Sequence, residues 1–381
     1  MKFVKKATAL LAACAMAVGM AACSGGTGSA IAAENANTKI TLGAYAYCMY
    51  SAYYEASYYV PDSTQPVLSQ EINGKSAEEW LREKALTNMK SMFVVDAKAK
   101  EMGISLTDEE RKNIDTNMDS SWNTSQDSIK KLISYGITKE GVKQFYYDFN
   151  TKYTKIFQAL YGAGGEKAVS EEDKRNYFLE NYTDFAFFSK SVASLSDEDK
   201  AAAKETLEGY AAAINEGTKT IDAVAEEYKT AEGLSSDPLK KAVTNLTTDT
   251  QYSQSYSEMV TALKEMNGGE ARVVESNSSY LLVLKNDINA SVDEKMQNEE
   301  TAFQVLAGIK SEEYINDMNA LVETYTDYTV HEDVINQFDP NVFATNNSSS
   351  STAEESTTAA SSEETSKASE DETASQTPST E

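Results

Sequence analysis

Along most of the chain, apolar residues recur at spacings of three and four, the period of an amphipathic helix. Leu81, Ala85, Met89, Met92 and Ala99 form one such stripe and predict a helix over 77–101, with Gly103 placed to end it in a left-handed cap. The same spacing predicts helices over 42–59, 108–123, 125–135, 139–161 and 171–181. Ser76, Thr107, Ser170 and Ser291 each stand three residues before an acid: Glu79, Glu110, Asp173 and Glu294. A hydroxyl that accepts an orphan backbone N–H, with an acid reaching back to the cap, marks a helix start.

The period changes near Asp184. Residues 185–194 are aromatic-rich and read as a strand, followed by helices over 197–215, 221–228 and 256–266. Residues 272–275 and 280–285 then read as a hairpin around a polar turn. This gives a small α+β unit over 182–289, ordered strand, three helices, hairpin. Helix returns with Met296, Phe303, Ala307, Tyr314, Met318, Leu321 and Tyr325 at near-heptad spacing, a stripe that must lie on something. Its natural partner is the N-terminal block. The expected fold class is therefore α+β, mainly α. A helical domain is split into 39–181 and 290–341 by the inserted unit, and its two parts close into one body with a concave apolar face.

The two ends differ from this body. Lys2, Lys5 and Lys6 precede an apolar run, Ala7 to Ala22, which is shorter than the roughly 20 residues a membrane span needs. The run stops at Ala21-Ala22-Cys23, which resembles the lipobox of bacterial lipoproteins. That resemblance implies a signal peptide over 1–22, a diacylglyceryl group on Cys23, and a protein held at the extracytoplasmic face of the cell membrane. Residues 23–38, rich in Gly, Ala and Asn, read as a flexible linker, and 342–381 as a disordered acidic Ser/Thr-rich tail. Once Cys14 leaves with the signal, only Cys23 and Cys48 remain, so no internal disulfide framework forms. Cys48 sits among apolar residues and reads as a buried, inert thiol.

The net charge of -26 excludes nucleic acid as a partner, since that binding depends on cationic residues releasing counterions. It also leaves membrane attachment to the acyl chains rather than to charge. There is no phosphate loop, nucleophile elbow or zinc spacing, so no nucleotide, cofactor or metal is expected. The acidic runs at 108–110 and 171–173 read as helix-start charges. The one histidine, His331, has no partners at ligand spacing and is assigned no role.

Several segments in order resemble the parvulin pattern. They are Asn215-Glu-Gly217 followed by Ile221 to Tyr228, the turn Ser235-Ser-Asp-Pro238, the helix Met259 to Met266 before Gly268-Gly269-Glu270, and the closing strand Ser279 to Leu284. With helical blocks on either side, the chain is similar over about 39–340 to the PrsA-type and SurA-type extracytoplasmic foldases. The resemblance implies a chaperone whose partners are unfolded or nascent exported polypeptides. Active parvulins place two histidines in a hydrogen-bonded pocket; here those positions fall at Ser191 and Leu281. A twisted prolyl amide lies about 18–20 kcal/mol up its barrier, and without that polar pocket the unit reads as a degenerate binding platform. Two alternatives stay open: an active prolyl isomerase on the same scaffold, and a surface lipoprotein that binds a solute or glycan.

The segment from Tyr45 to Tyr59 is the most unusual in composition. On a helix, Tyr45, Met49 and Tyr53 share one face, and Tyr47, Tyr50, Tyr54 and Tyr58 form a second stripe. Either all these rings lie against the long C-terminal helix, or the second stripe lines a groove for client segments. Tyr and Met suit the latter task, giving adaptable apolar contact with a polar handle.

Overall fold

The computed structural model describes residues 27–276 and 278–345. The signal segment, the lipidation candidate Cys23 and the tail beyond 345 lie outside them. The protein is α+β and mainly helical.

Strands β1 (Ile31–Glu34) and β2 (Lys39–Thr41) open the chain as an antiparallel pair. Composition predicts a flexible linker through residue 38; instead Ala32 and Ala33 are fully buried. Gly- and Ala-rich chain offers little side-chain signal, but β1 pairs on both edges and small residues fit beneath the helices. Helix α1 (Leu42–Ala56) starts where the Thr41 hydroxyl accepts from the Ala44 N–H at 3.2 Å. It stops three residues short of the predicted end. A two-residue hairpin, β3 (Glu71–Ile72) and β4 (Lys75–Ser76), leads into α2 (Ala77–Glu101), capped by Ser76. The predicted stripe of α2 is buried from Leu81 to Ala99.

Helices α3 (Asp108–Thr124) and α4 (Gln126–Ser134) follow, α3 behind a full capping box between Thr107 and Glu110. The acids at 108–110 form its first turn. Helix α5 (Lys139–Val142) runs through a π-helical stretch, Lys143–Asp148, into α6 (Phe149–Tyr161). Gly141 lets α5 approach α1: a Cβ there would fall 2.6 Å from the Ala44 nitrogen. Helix α7 (Glu171–Asn181), capped by Ser170, completes the N-terminal block.

The inserted unit runs β5 (Thr183–Ser191), α8 (Asp197–Asn215), α9 (Ile221–Glu232), β6 (Lys240–Thr244), α10 (Thr250–Ser255), α11 (Ser257–Glu265), β7 (Ala271–Ser276) and β8 (Ser279–Lys285). Its sheet is antiparallel in the order β6-β5-β8-β7. Strand β6 is absent from the sequence expectation because Lys240-Lys241-Ala242-Val243-Thr244 is a polar edge strand with little apolar alternation. Alternation along β5 builds two cores. Phe185 and Phe187 lie under α11, while Ala186 and Phe188 face α8 and α9.

The return path is α12 (Ile288–Lys295), α13 (Glu299–Thr324), β9 (Thr329–Val330), α14 (Glu332–Ile335) and α15 (Val342–Thr345). Ser291, expected as a cap, lies inside α12, which Asp287 caps; its hydroxyl donates instead to Asp184 at 3.0 Å. Leu321, expected in the buried stripe of α13, is 42 % exposed, while Val305, Leu306, Tyr314, Met318 and Val322 are buried. Strand β9 pairs with β1, so segments from both ends of the chain share one sheet. A single buried cluster joins Val94, Val95, Phe157 and Tyr161 to Leu306, Tyr314 and Met318. The expected tail begins too early, since α15 is folded and Phe343 is fully buried. No described helix is long and apolar enough to cross a membrane.

Candidate functional site

The tyrosine segment divides along its length. At its inner end, Tyr45 meets Phe338 at 6.3 Å, and Tyr50 and Tyr53 meet Phe343 at 6.2 and 4.9 Å. Tyr47 lies 5.5 Å from Phe145 on the π-helical stretch, and Tyr50 lies 5.9 Å from Tyr135. The rings therefore meet short elements near the chain's end and α4 to α6, not the long helix α13. Burial pushes the Tyr45 and Tyr47 phenols up to about 12. It also raises the thiol of Cys48, which is fully buried and free. Such groups serve packing. This part of the expected concave face is filled by the chain's own Phe343 and Tyr135.

The outer end is open. Helix α1 stops at Ala56, and the chain turns with Tyr58 N–H donating to the Glu55 carbonyl and Tyr59 N–H to that of Ala56. Tyr54, Tyr58 and Tyr59 are left 61, 73 and 56 % exposed. They are ordered by one another: the Tyr54 and Tyr58 rings meet edge to face at 5.8 Å, with their hydroxyls 3.4 Å apart. That hydrogen bond raises the Tyr58 phenol above its ordinary value. Tyr59 leans on Trp80, early in α2, at 5.9 Å. The loop that follows Tyr59 is closed by Gln70, whose amide donates to the Asp62 carbonyl at 2.8 Å and accepts from the Asp62 N–H at 3.0 Å. The result is an exposed aromatic ridge of Tyr54, Tyr58, Tyr59 and the half-buried Trp80. Of the four tyrosines proposed from the sequence, Tyr54 and Tyr58 stand on the ridge, while Tyr47 and Tyr50 are half-buried behind it. Trp80 escaped the sequence reading; its one signal was a large aromatic just off the buried stripe of α2.

In the inserted unit, Ser191 and Leu281 do not face each other. Ser191 pairs with Ser279, and Leu281 with Ser189. Ser191 is exposed at the end of β5, whereas Leu281 is buried with Phe187, Met259 and Leu263. The two positions therefore offer one exposed hydroxyl at the strand end and one aliphatic side chain in the core, not a facing pair of polar groups. His331 lies in the helical body, its Nε2 3.3 Å from Glu34 Oε1. Among the described residues no three His, Cys, Asp or Glu side chains converge as metal ligands.

No protein-family model and no curated protein matches the chain. Among solved structures it is similar to PrsA from Bacillus subtilis, at 15% identity over 72% of this chain and 95% of that one, with a TM-score of 0.32. The foldase protein PrsA from Streptococcus pneumoniae gives 13% identity over 68% and 90%, with a TM-score of 0.32. A peptidylprolyl isomerase (PrsA) from Bacillus anthracis gives 14% over 63% and 98%, with a TM-score of 0.24. At such identities and TM-scores the likeness decides nothing about activity.

Proposed function

We propose that the protein is a lipid-anchored extracytoplasmic chaperone that holds unfolded segments of exported proteins on the ridge of Tyr54, Tyr58, Tyr59 and Trp80. The observation that carries this reading is the exposure of Tyr54, Tyr58 and Tyr59, with Tyr54 and Tyr58 held edge to face and Tyr59 against Trp80. Each aromatic ring offers about 150–250 Å² of contact and, in Tyr and Trp, a polar edge. Sequence-tolerant capture needs such surfaces more than it needs an exact pocket. Cys23, with its two acyl chains, would keep the ridge at the membrane surface where exported chains emerge. The inserted unit acts as a second binding platform without strong isomerase activity, since Leu281 brings no polar atom to the position a catalytic histidine would fill. Release needs no nucleotide if individual contacts are weak and exchange quickly.

The test is suppression of aggregation. The full chain, at near-stoichiometric amounts and without ATP, should delay aggregation of an unrelated reduced protein. A variant carrying Tyr54→Ser, Tyr58→Ser and Tyr59→Ser should lose most of that effect while keeping its thermal midpoint. Equal suppression by both proteins would remove the ridge from the account.

A further inference from the structure

A second place on the helical body lines one cleft with two exposed cations, Lys100 and Arg111, and a half-buried carboxylate, Asp148, none of which forms an ion pair among the described residues. The cleft, about 470 Å³, lies between the turn at Asn37 and Thr38, the end of α2, the start of α3 and the junction of the π-helical stretch with α6. Arg111 and Lys100 line it, and among the described residues no carboxylate comes within 4.0 Å of either cation. Among the described residues the Lys100 ammonium donates to Asn37 Oδ1, at 2.9 Å. Asp148 also lines it, half-buried, and among the described residues no cation comes within 4.0 Å of it. The lysines that could reach Asp148 are drawn elsewhere, Lys143 to Asp115 and Lys152 to Asp96, each at 2.6 Å. Asp96 takes a further hydrogen bond from Thr38 Oγ1 at 2.7 Å. Burial raises the Asp148 carboxyl above its ordinary value, against the pull of Lys143, Lys152 and Arg111.

The charge balance is unusual for so acidic a chain. The cleft carries three cations against two carboxylates, whereas the clefts beside Lys190, Asp184, Asn35 and Lys167 have lining charges that cancel or sum negative. A plain anion would satisfy Arg111 and Lys100 but would leave Asp148 beside it without compensation. A ligand with both charges satisfies all three. Ile104 and Leu106 add an apolar wall suited to an aliphatic side chain.

We propose that this cleft binds the ammonium–carboxylate pair of an amino acid or short peptide, with Arg111 as the bidentate carboxylate fork, Lys100 as a second cation and Asp148 as the ammonium acceptor. The site is separate from the aromatic ridge and does not depend on it.

The test is calorimetric titration of the full chain with L-leucine and with trileucine, a saturable heat from one, the other or both identifying the source of the zwitterion. For whichever binds, Arg111→Gln should weaken affinity by about tenfold or more. N-acetylation of that ligand should weaken binding to the wild type but not to Asp148→Asn. Lys100→Gln, at an exposed position, provides a second loss if Arg111→Gln disturbs folding. The proposal is overturned if neither ligand saturates, if Arg111→Gln and Lys100→Gln both bind as the wild type does, or if acetylation changes nothing.

Discussion

The Tyr314 hydroxyl donates to the backbone carbonyl of Tyr153 at 2.8 Å, across 161 positions of sequence. Its ring lies 4.5 Å from that of Tyr153 and 5.3 Å from that of Phe157, and it is 2 % exposed. The inserted unit lies between these positions in sequence, so this contact closes the helical body around it. Tyr314→Phe, which loses only the hydrogen bond, should cost about 1 kcal/mol. Tyr314→Ala, which also leaves a cavity, should cost about 3–5 kcal/mol. Urea denaturation of both variants measures the difference, and equal costs would deny the ring its role in the closure.

Asp184 ties the inserted unit to its exit helix. Only 4 % exposed, it accepts from Asn286 Nδ2 at 2.6 Å and Ser291 Oγ at 3.0 Å, with Lys295 Nζ at 3.9 Å. Asp184→Ala removes a buried acceptor from two half-buried donors and should cost about 2–3 kcal/mol. Asp184→Asn, which keeps one carbonyl acceptor, should cost less. A denaturation series with no difference between the two substitutions would count against a charged anchor.

Stability should fall in acid partly through Glu313. Lys310 and Lys167 hold this carboxyl at about 2, well below its ordinary 4.5. A depressed folded-state value means the contribution is present above about 4.5 and is lost as pH falls through about 2. The urea midpoints of wild type and Glu313→Gln should therefore differ near neutral pH and converge over that window. The group is solvent-exposed, so added salt should shrink the difference as well. A gap that widens in acid contradicts the sign.

Leu281 and Ser191 should behave as structural residues of opposite weight. Leu281→Ala empties part of a buried cluster and should cost about 2–5 kcal/mol. Ser191→Ala, at an exposed strand end, should stay within about 0.5 kcal/mol. Denaturation midpoints decide it; a large cost at Ser191 with none at Leu281 would reverse the reading of that sheet face.

What could be read from sequence was set by how local its cause is. The starts of α2, α3 and α7 were legible because Ser76, Thr107 and Ser170 cap a helix within three residues. Ser291 carries the same local signature, yet its hydroxyl serves Asp184, 107 positions away, and the helix begins earlier. Strand β1 was hidden because its alanines gain burial only once β9, from the far end of the chain, is in place. The division of the tyrosine stripe was equally invisible. Tyr47 and Tyr54 sit at equivalent helical spacing, and it is Phe145, about a hundred positions further on, that covers Tyr47. The widened turns at Lys143–Asp148 leave the apolar period almost intact, so the cleft residue Asp148 gave no signal.

The most direct measurement compares two positions on one helix and its turn. A photo-crosslinking side chain is placed at position 58 in one variant and at position 47 in another, and each full chain is illuminated with the same reduced, unfolded client. Strong crosslinking is expected from position 58 and little from position 47. Stronger capture from position 47, or none from position 58, would contradict that expectation.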